Sequence, residues 1–253
     1  MVSGADLVLE ERHGHVLVLT MNRPQRHHAL NRALSGRLAA AMSAAEVDEG
    51  VRVVVLTGSG EKAFCAGADM LETSGVEAPA PAAPMGTAAD AIDKFSRTPI
   101  PVIAAINGYC YGGGARLAIG CDIRLASVNA TFRLPGAEYG LVVAAATLPR
   151  LVGASKAKEL IFTGRKFDAD EALDMGLLSS VYELEELMPA ALAMAQEIAA
   201  NSVAAVRASK AVIDAATLSD AASDLEHEKN QGLRGSPEQV ERFRAATKKV
   251  TGR

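Results

Sequence analysis

The 253-residue chain has no tryptophan, four tyrosines, six phenylalanines and three cysteines. Aromatics make up 4% of residues against 49% apolar overall, so alanine and the small aliphatics must fill the interior. Cys65, Cys110 and Cys121 are odd in number, and their spacing fits neither a zinc site nor a CxxC redox pair. All three lie in apolar surroundings, which reads as reduced core thiols and points to the cytoplasm. No apolar run approaches the length of a membrane span. The opening "MVSGADLVLEERHGH" lacks the basic region and apolar core of a secretory signal. Neither sign of charge dominates: 26 Lys and Arg face 30 Asp and Glu, a net charge of −4. That balance excludes a broad nucleic-acid or anionic-membrane surface and leaves any phosphate site local. There is no G-x-S-x-G elbow and no G-K-[ST] phosphate loop. In "GGGARLAIG", Leu117 stands where a G-x-G-x-x-G fingerprint needs its last glycine. His13, His15, His27, His28 and His227 have no metal-ligand spacing, and His27 and His28 read as members of a solvated loop.

The composition is that of a globular α/β chain. Two strand-like runs, Leu7–Glu10 and His15–Met21, flank the turn "ERHGH". Asn31 is placed to cap an Ala/Leu-rich helix running to about Val47. "VRVVVLTG" and "PVIAAI" are uninterrupted apolar runs, the pattern of strands buried on both faces. Between them, Leu71 to Asp90 is an alanine- and proline-rich stretch that reads as a mobile flap. "CDIRLAS" and "TFRL" read as further strands. Helices are then expected over Thr147–Leu151, Ser155–Thr163, Ala169–Met175, Glu185–Ala200, Val203–Ala216 and Ser219–Leu233, with Ser155 and Asp168 as caps. A last helix starts in "SPEQVERFRAATKK", with Pro237 at its first position. No repeat is visible in the sequence.

Two loops share one design. "AFCAGAD" (Ala63–Asp69) and "NGYCYGGGA" (Asn107–Ala115) each follow a buried strand and end in glycine and small residues. Such backbone admits a ligand closely, and free N–H groups at a helix start attract negative charge. Two readings stand open: paired donors for an oxyanion, or two tight turns that allow close packing.

The segments "LTMNRPQRHHALN", "VVVLTGSGEKAFCAGADM", "PVIAAINGYCYGGGARLAIGCDIRLAS", "FRLPGAEYGL" and "FTGRKFDADEALDMGL" resemble, in that order, the enoyl-CoA hydratase/isomerase (crotonase) superfamily over almost the whole chain. The resemblance implies a crotonase fold, a ClpP-like spiral of ββα units with two sheets. Residues 1–190 would form the acyl-CoA-binding core, and 191–253 a helical oligomerisation and lid region. It implies acyl-CoA or enoyl-CoA ligands whose thioester carbonyl meets the N–H groups of Ala68 and Gly113. It further implies CoA contacts from Arg26, Ala29, Lys62, Ala66, Phe243 and Lys248, a homotrimer or dimer of trimers, no metal, and no cofactor beyond the CoA of the substrate.

The chain also departs from the pattern. Hydratases of the family carry glutamates at the positions of Arg116 and Gly136. The dienoyl-CoA isomerase branch, which "GLVVAAATLPRL" resembles, has carboxylates at those of Arg116, Gly136 and Ala144. Glu138 is the candidate surviving acid/base group, with Tyr139 beside it, while Asp69 and Asp122 read as structural. Arg116 opposes the helix dipole at a cost of roughly 0.3–1 kcal/mol if exposed. A pair with Glu138 is the favoured explanation, ahead of a substrate carboxylate or solvent. The function expected is enoyl-CoA hydratase/isomerase-type chemistry with weak or altered hydration. Its rivals are a non-catalytic acyl-CoA binder and a CoA-thioester hydrolase or decarboxylase.

Overall fold

A computed structural model of the chain describes residues 7–77 and 88–252. Half of the expected flap, 78–87, lies outside them. The first half alternates strands and helices: β1 (Val8–His13), β2 (Val16–Met21), α1 (Arg32–Val47), β3 (Val53–Gly58), β4 (Ala63–Cys65), α2 (Met70–Thr73), α3 (Ala88–Arg97), β5 (Val102–Ile106), β6 (Tyr109–Tyr111) and α4 (Gly113–Gly120). There follow β7 (Ile123–Ser127), β8 (Thr131–Arg133), α5 (Pro149–Val152), α6 (Ala154–Thr163), β9 (Lys166–Asp168), α7 (Ala169–Asp174) and β10 (Ser180–Tyr182). Four helices close the chain: α8 (Leu184–Ala200), α9 (Val203–Thr217), α10 (Asp220–Leu233) and α11 (Pro237–Thr251).

The strands form a six-stranded sheet, β1-β2-β3-β5-β7-β10, and a four-stranded sheet, β4-β6-β8-β9. β1–β2 and β8–β9 are antiparallel; the other pairings are parallel. The central strands β3 and β5 are buried throughout, as their unbroken apolar runs require. Val54, Leu56, Ala104 and Ile106 face one core, which also takes in residues of α1, α3 and α4. Val53, Val55, Ile103 and Ala105 face another, closed by α8. Leu187, Ala191, Ala195 and Ala199 stand four apart on α8, one side of the helix, and their small size lets it approach the sheet. α8 runs across the 190/191 division expected from the resemblance.

Asn31 caps α1 by accepting the Leu34 N–H, and Asp168 caps α7 by accepting that of Glu171. Ser155 does not cap α6: the helix starts one residue earlier, and Gly153, with φ 76°, holds the cap position. β4, β6, β9 and β10 have three residues each, too short for side-chain alternation to announce them. The three cysteines are free and buried, and burial pushes the thiols of Cys65 and Cys121 up to about 12. No described helix is long and apolar enough to cross a membrane.

Candidate active site

The two glycine loops meet back to back. At the end of β5, the Asn107 side chain donates to the carbonyls of Gly58 (2.8 Å) and Gly60 (2.6 Å), tying the second loop to the end of β3. Gly108 and Gly114 mark the contact itself. A Cβ on Gly108 would stand 2.3 Å from the Lys62 carbonyl oxygen, and one on Gly114 only 2.2 Å from that of Cys65. No residue but glycine fits either place.

Ala68 is held in a short parallel bridge to Leu30: Leu30 N–H donates to the Gly67 carbonyl at 2.7 Å and Asp69 N–H to that of Leu30 at 3.0 Å. Because extended backbone alternates, the Ala68 N–H turns away from Leu30. Gly113 opens α4, where the first N–H groups of a helix have no intrahelical acceptor. A Cβ built on Gly113 would lie 3.4 Å from the Ala68 nitrogen, so the two amides are neighbours. Gly112 makes the turn into α4 with φ 52°. Arg23 braces the first loop from behind, donating to the Ala29 carbonyl and to Asp69, the latter at 3.0 Å. Asp69 also caps α2 through the N–H groups of Leu71 and Glu72, the structural part expected of it. Asp122 likewise accepts from Val102 N–H (2.7 Å) and Lys210 (2.8 Å).

His28 is not in a solvated loop. It is 1% exposed, with Nδ1 accepting from Arg23 N–H at 3.0 Å and Nε2 at 2.9 Å from the Ser59 carbonyl it donates to. These partners fix the neutral ring, and burial lowers its pKa from the ordinary value. His27 is exposed, edge-on to Tyr109. Unfolded chain takes up the His28 proton first as pH falls, so the stabilisation is complete above about pH 6.5 and declines in acid. Melting temperatures between pH 7.5 and 5 should therefore drop for the wild type and drop less for His28→Asn, a residue at home at φ 53°. Parallel curves for the two proteins would refute this assignment.

The expected Arg116–Glu138 pair does not form. Glu138 sits exposed in a 3-10 turn (Ala137–Tyr139) and is bonded to Arg133, whose Nε donates to the Gly164 carbonyl at 2.7 Å. Arg133 is nearer in the chain and already anchored, so it captures the carboxylate. Arg116 instead faces Glu226 of α10, its Nη2 lying 3.7 Å from Glu226 Oε1. Glu226 is 6% exposed, and its other oxygen, Oε2, accepts the Ala146 N–H at 2.8 Å. One turn on, Asn230 both donates to the Val142 carbonyl (2.7 Å) and accepts its N–H (2.9 Å). α10 thus clamps the loop that contains Ala144. Gly136 is closed off: a Cβ there would fall 2.7 Å from Val143 Cγ2. Nothing in "DLEHEKNQGL" separates a buried Glu226 from the solvated charges beside it.

Of the expected CoA-contacting residues, Lys62 and Lys248 are exposed. Arg26 pairs with Glu77 at 3.0 Å, the Ala29 carbonyl is taken by Arg23, and Ala66 N–H donates to the His27 carbonyl. Phe243 is buried, edge-on to Tyr139 at 6.1 Å between ring centroids. Burial pushes the Tyr139 phenol up. A cavity of about 750 Å³ opens beneath α9, lined by Asp122, Arg150, Lys210 and Asp214 among others. No residue of the glycine loops lines it, so cavity size does not locate the site. Among the described residues no group of three His, Cys, Asp or Glu could hold a metal ion.

Residues 11–248 match the family model described as "Enoyl-CoA hydratase/isomerase". The chain belongs to that family. It is 40% identical over 216 residues to the short-chain-enoyl-CoA hydratase of Clostridium acetobutylicum, covering 82% of this chain and 80% of that one. It is 37% identical to the mitochondrial Δ(3,5)-Δ(2,4)-dienoyl-CoA isomerase of Rattus norvegicus, covering 78% and 64%. The crystal structure of an enoyl-CoA hydratase/isomerase from Pseudoalteromonas atlantica superposes with a TM-score of 0.86 at 30% identity, over 96% of this chain and 97% of that one. The fold of this family member is therefore the crotonase fold, with both sheets and the helical C-terminal region.

Proposed function

We propose that the protein binds acyl-CoA and enoyl-CoA thioesters at the junction of the two glycine loops and performs hydratase/isomerase-type chemistry there, with hydration weak. One observation carries this reading: the Ala68 and Gly113 amides lie side by side, and neither has a backbone acceptor among the described residues. Two preorganised donors stabilise a thioester oxygen more as it gains charge than in the ground state, which is the condition for catalysis. The CoA moiety belongs to the substrate, and the chemistry calls for no resident metal or cofactor. CoA would run past Arg26, Ala29 and the Lys62–Ala66 strip, with Phe243 and Lys248 reaching it from α11. Exposed Val212, Ile213, Leu225 and Val250 on the last three helices support packing into a trimer or a dimer of trimers. Three buried reduced thiols suit the cytoplasm.

Hydration is expected to be poor because Arg116 and Gly136 carry no carboxylate to position and activate water. Each missing acid or base group is worth about 10²–10⁴-fold. Calorimetry should show butyryl-CoA binding in the micromolar range or tighter, and crotonyl-CoA hydration should be slow relative to a two-glutamate relative. Gly113→Leu places a side chain between the two amides and should abolish binding. Unchanged affinity in that variant would put the ligand elsewhere, and brisk hydration by the wild type would show that a complete acid/base pair is present.

A further inference from the structure

We infer that Glu226, delivered from α10, is the proton-carrying residue of this site. The inference rests on the proposed binding mode and adds the group that mode lacks. Its first support is the division of labour between the two carboxylate oxygens. Oε2 is held by the Ala146 N–H, which fixes the side chain, while Oε1 is buried and accepts no hydrogen bond from the described residues. A buried acceptor left free costs stability unless it serves a purpose, and a side chain 6% exposed does not recover that cost from water.

The second support is where Oε1 stands. Arg116 faces it at 3.7 Å, and Arg116 follows Gly113 by three residues on α4. Residues three apart share one face of a helix, so Arg116 lies on the side of α4 where a Cβ on Gly113 would meet Ala68 and Gly67. The carboxylate thus faces α4 across the loop 142–146, whose Ala146 N–H holds its other oxygen. Arg116, a cation in the first turns of a helix that disfavours one, is explained by the anion it faces. It is a positioning residue: its guanidinium faces the free carboxylate oxygen and aims it.

The chemistry balances with one carboxylate and no co-reactant. Glu226 Oε1 takes a proton from the carbon α to the thioester carbonyl. The C–H bond breaks, an O–H bond forms, and the C–H electron pair moves into the carbonyl. The resulting negative oxygen rests between the Ala68 and Gly113 amides. Return of the same proton to the α carbon gives exchange with solvent. In a β,γ-unsaturated acyl chain, its return to the γ carbon moves the double bond into conjugation and regenerates the carboxylate. Hydration needs a second group to hold and orient water, so a single carboxylate favours double-bond migration over water addition.

The test follows deuterium entry at C2 of butyryl-CoA in D2O by mass spectrometry, with binding measured in parallel by calorimetry on the full-length protein. The wild type should exchange, with a rate that rises through one ionisation as pH increases. Glu226→Gln keeps an oxygen for the Ala146 N–H, so its affinity should stay within a few-fold while exchange falls about 10²–10⁴-fold. Glu226→Asp should restore part of the rate on the same pH profile. Exchange by Glu226→Gln at the wild-type rate, or a wild type that binds without exchanging, overturns the assignment and leaves the binding mode standing. A wild type that does not bind butyryl-CoA overturns both. If Glu226→Gln does not fold, Arg116→Gln decides: with nothing to aim the carboxylate, exchange should fall well below the wild-type rate while butyryl-CoA still binds, and exchange at the wild-type rate overturns the proposal.

Discussion

Gly114→Ala is expected to destabilise the protein by about 3 kcal/mol or more and to eliminate acyl-CoA binding. The added methyl carbon would lie 2.2 Å from the Cys65 carbonyl oxygen, 2.7 Å from Cys65 Cβ and 2.8 Å from the Cys65 carbonyl carbon. Two of these atoms are backbone, so no rotamer change relieves the contact. β4 and the start of α4 must separate, and Cys65 is itself buried in the principal core. Overpacking typically costs about 1–3 kcal/mol, and a clash with main chain belongs at the top of that range or beyond. The same separation moves the Gly113 amide away from that of Ala68, so affinity is lost even in molecules that remain folded. Gly232→Ala is the matched control. That position is exposed in α10 with nothing within 4 Å, and helix propensity alone should stabilise it by about 0.5–1 kcal/mol. Urea denaturation of the two variants, with butyryl-CoA calorimetry, measures both effects. A Gly114→Ala protein as stable as wild type would mean the loops are not in contact as described.

Glutamates introduced together at positions 116 and 136 are expected to give an unfolded protein rather than a hydratase. Arg116→Glu sets a carboxylate against buried Glu226, where an ion pair at 3.7 Å stood before. Breaking a buried pair costs about 3–5 kcal/mol, and the 31% exposure of the Arg116 side chain puts the cost near the lower figure. Gly136→Glu drives its Cβ to 2.7 Å from Val143 Cγ2 and 2.9 Å from the Leu141 carbonyl, for about another 1–3 kcal/mol. Both changes strain the loop that α10 clamps, so the losses will not simply add. Their combined size is nonetheless a large share of the roughly 5–15 kcal/mol that holds a typical domain together. Denaturation midpoints of the single and double variants test this. A folded double variant that hydrates crotonyl-CoA briskly would show that the site had lost only two side chains and kept their places.

The parts of this molecule that sequence makes legible are those whose signal is local. Unbroken runs such as "VVVLTG" and "PVIAAI" announce buried strands because both faces must be apolar. Asn31 and Asp168 announce helix starts because a cap bonds to its own first turn. The glycine loops were visible for the same reason: close approach of two backbones demands glycine wherever it occurs. Arg116 could be singled out as anomalous, since a cation near a helix N-terminus opposes the dipole. Its partner could not be named, because Glu138 and Glu226 are equally acidic and only tertiary placement sends Arg133 to one and Arg116 to the other. His28 escaped for a similar reason, its burial depending on Arg23 and Ser59 closing around it.

The clamp between α10 and the loop after β8 has a consequence for how the protein is made. Glu226 lies 80 residues beyond the amide it accepts from, and Asn230 lies 88 beyond Val142. At roughly 5–20 residues per second, a ribosome needs on the order of 4–18 seconds to traverse that interval. During that time the sheets and glycine loops have been synthesised, while the Val142 and Ala146 amides still lack their partners. A nascent chain stalled before α10 would carry the Ala68 and Gly113 amides beside a slack loop that still lacks the Glu226 and Asn230 side chains. The α10 segment, Asp220–Leu233, is therefore the closing element of this clamp, made long after the loop it holds.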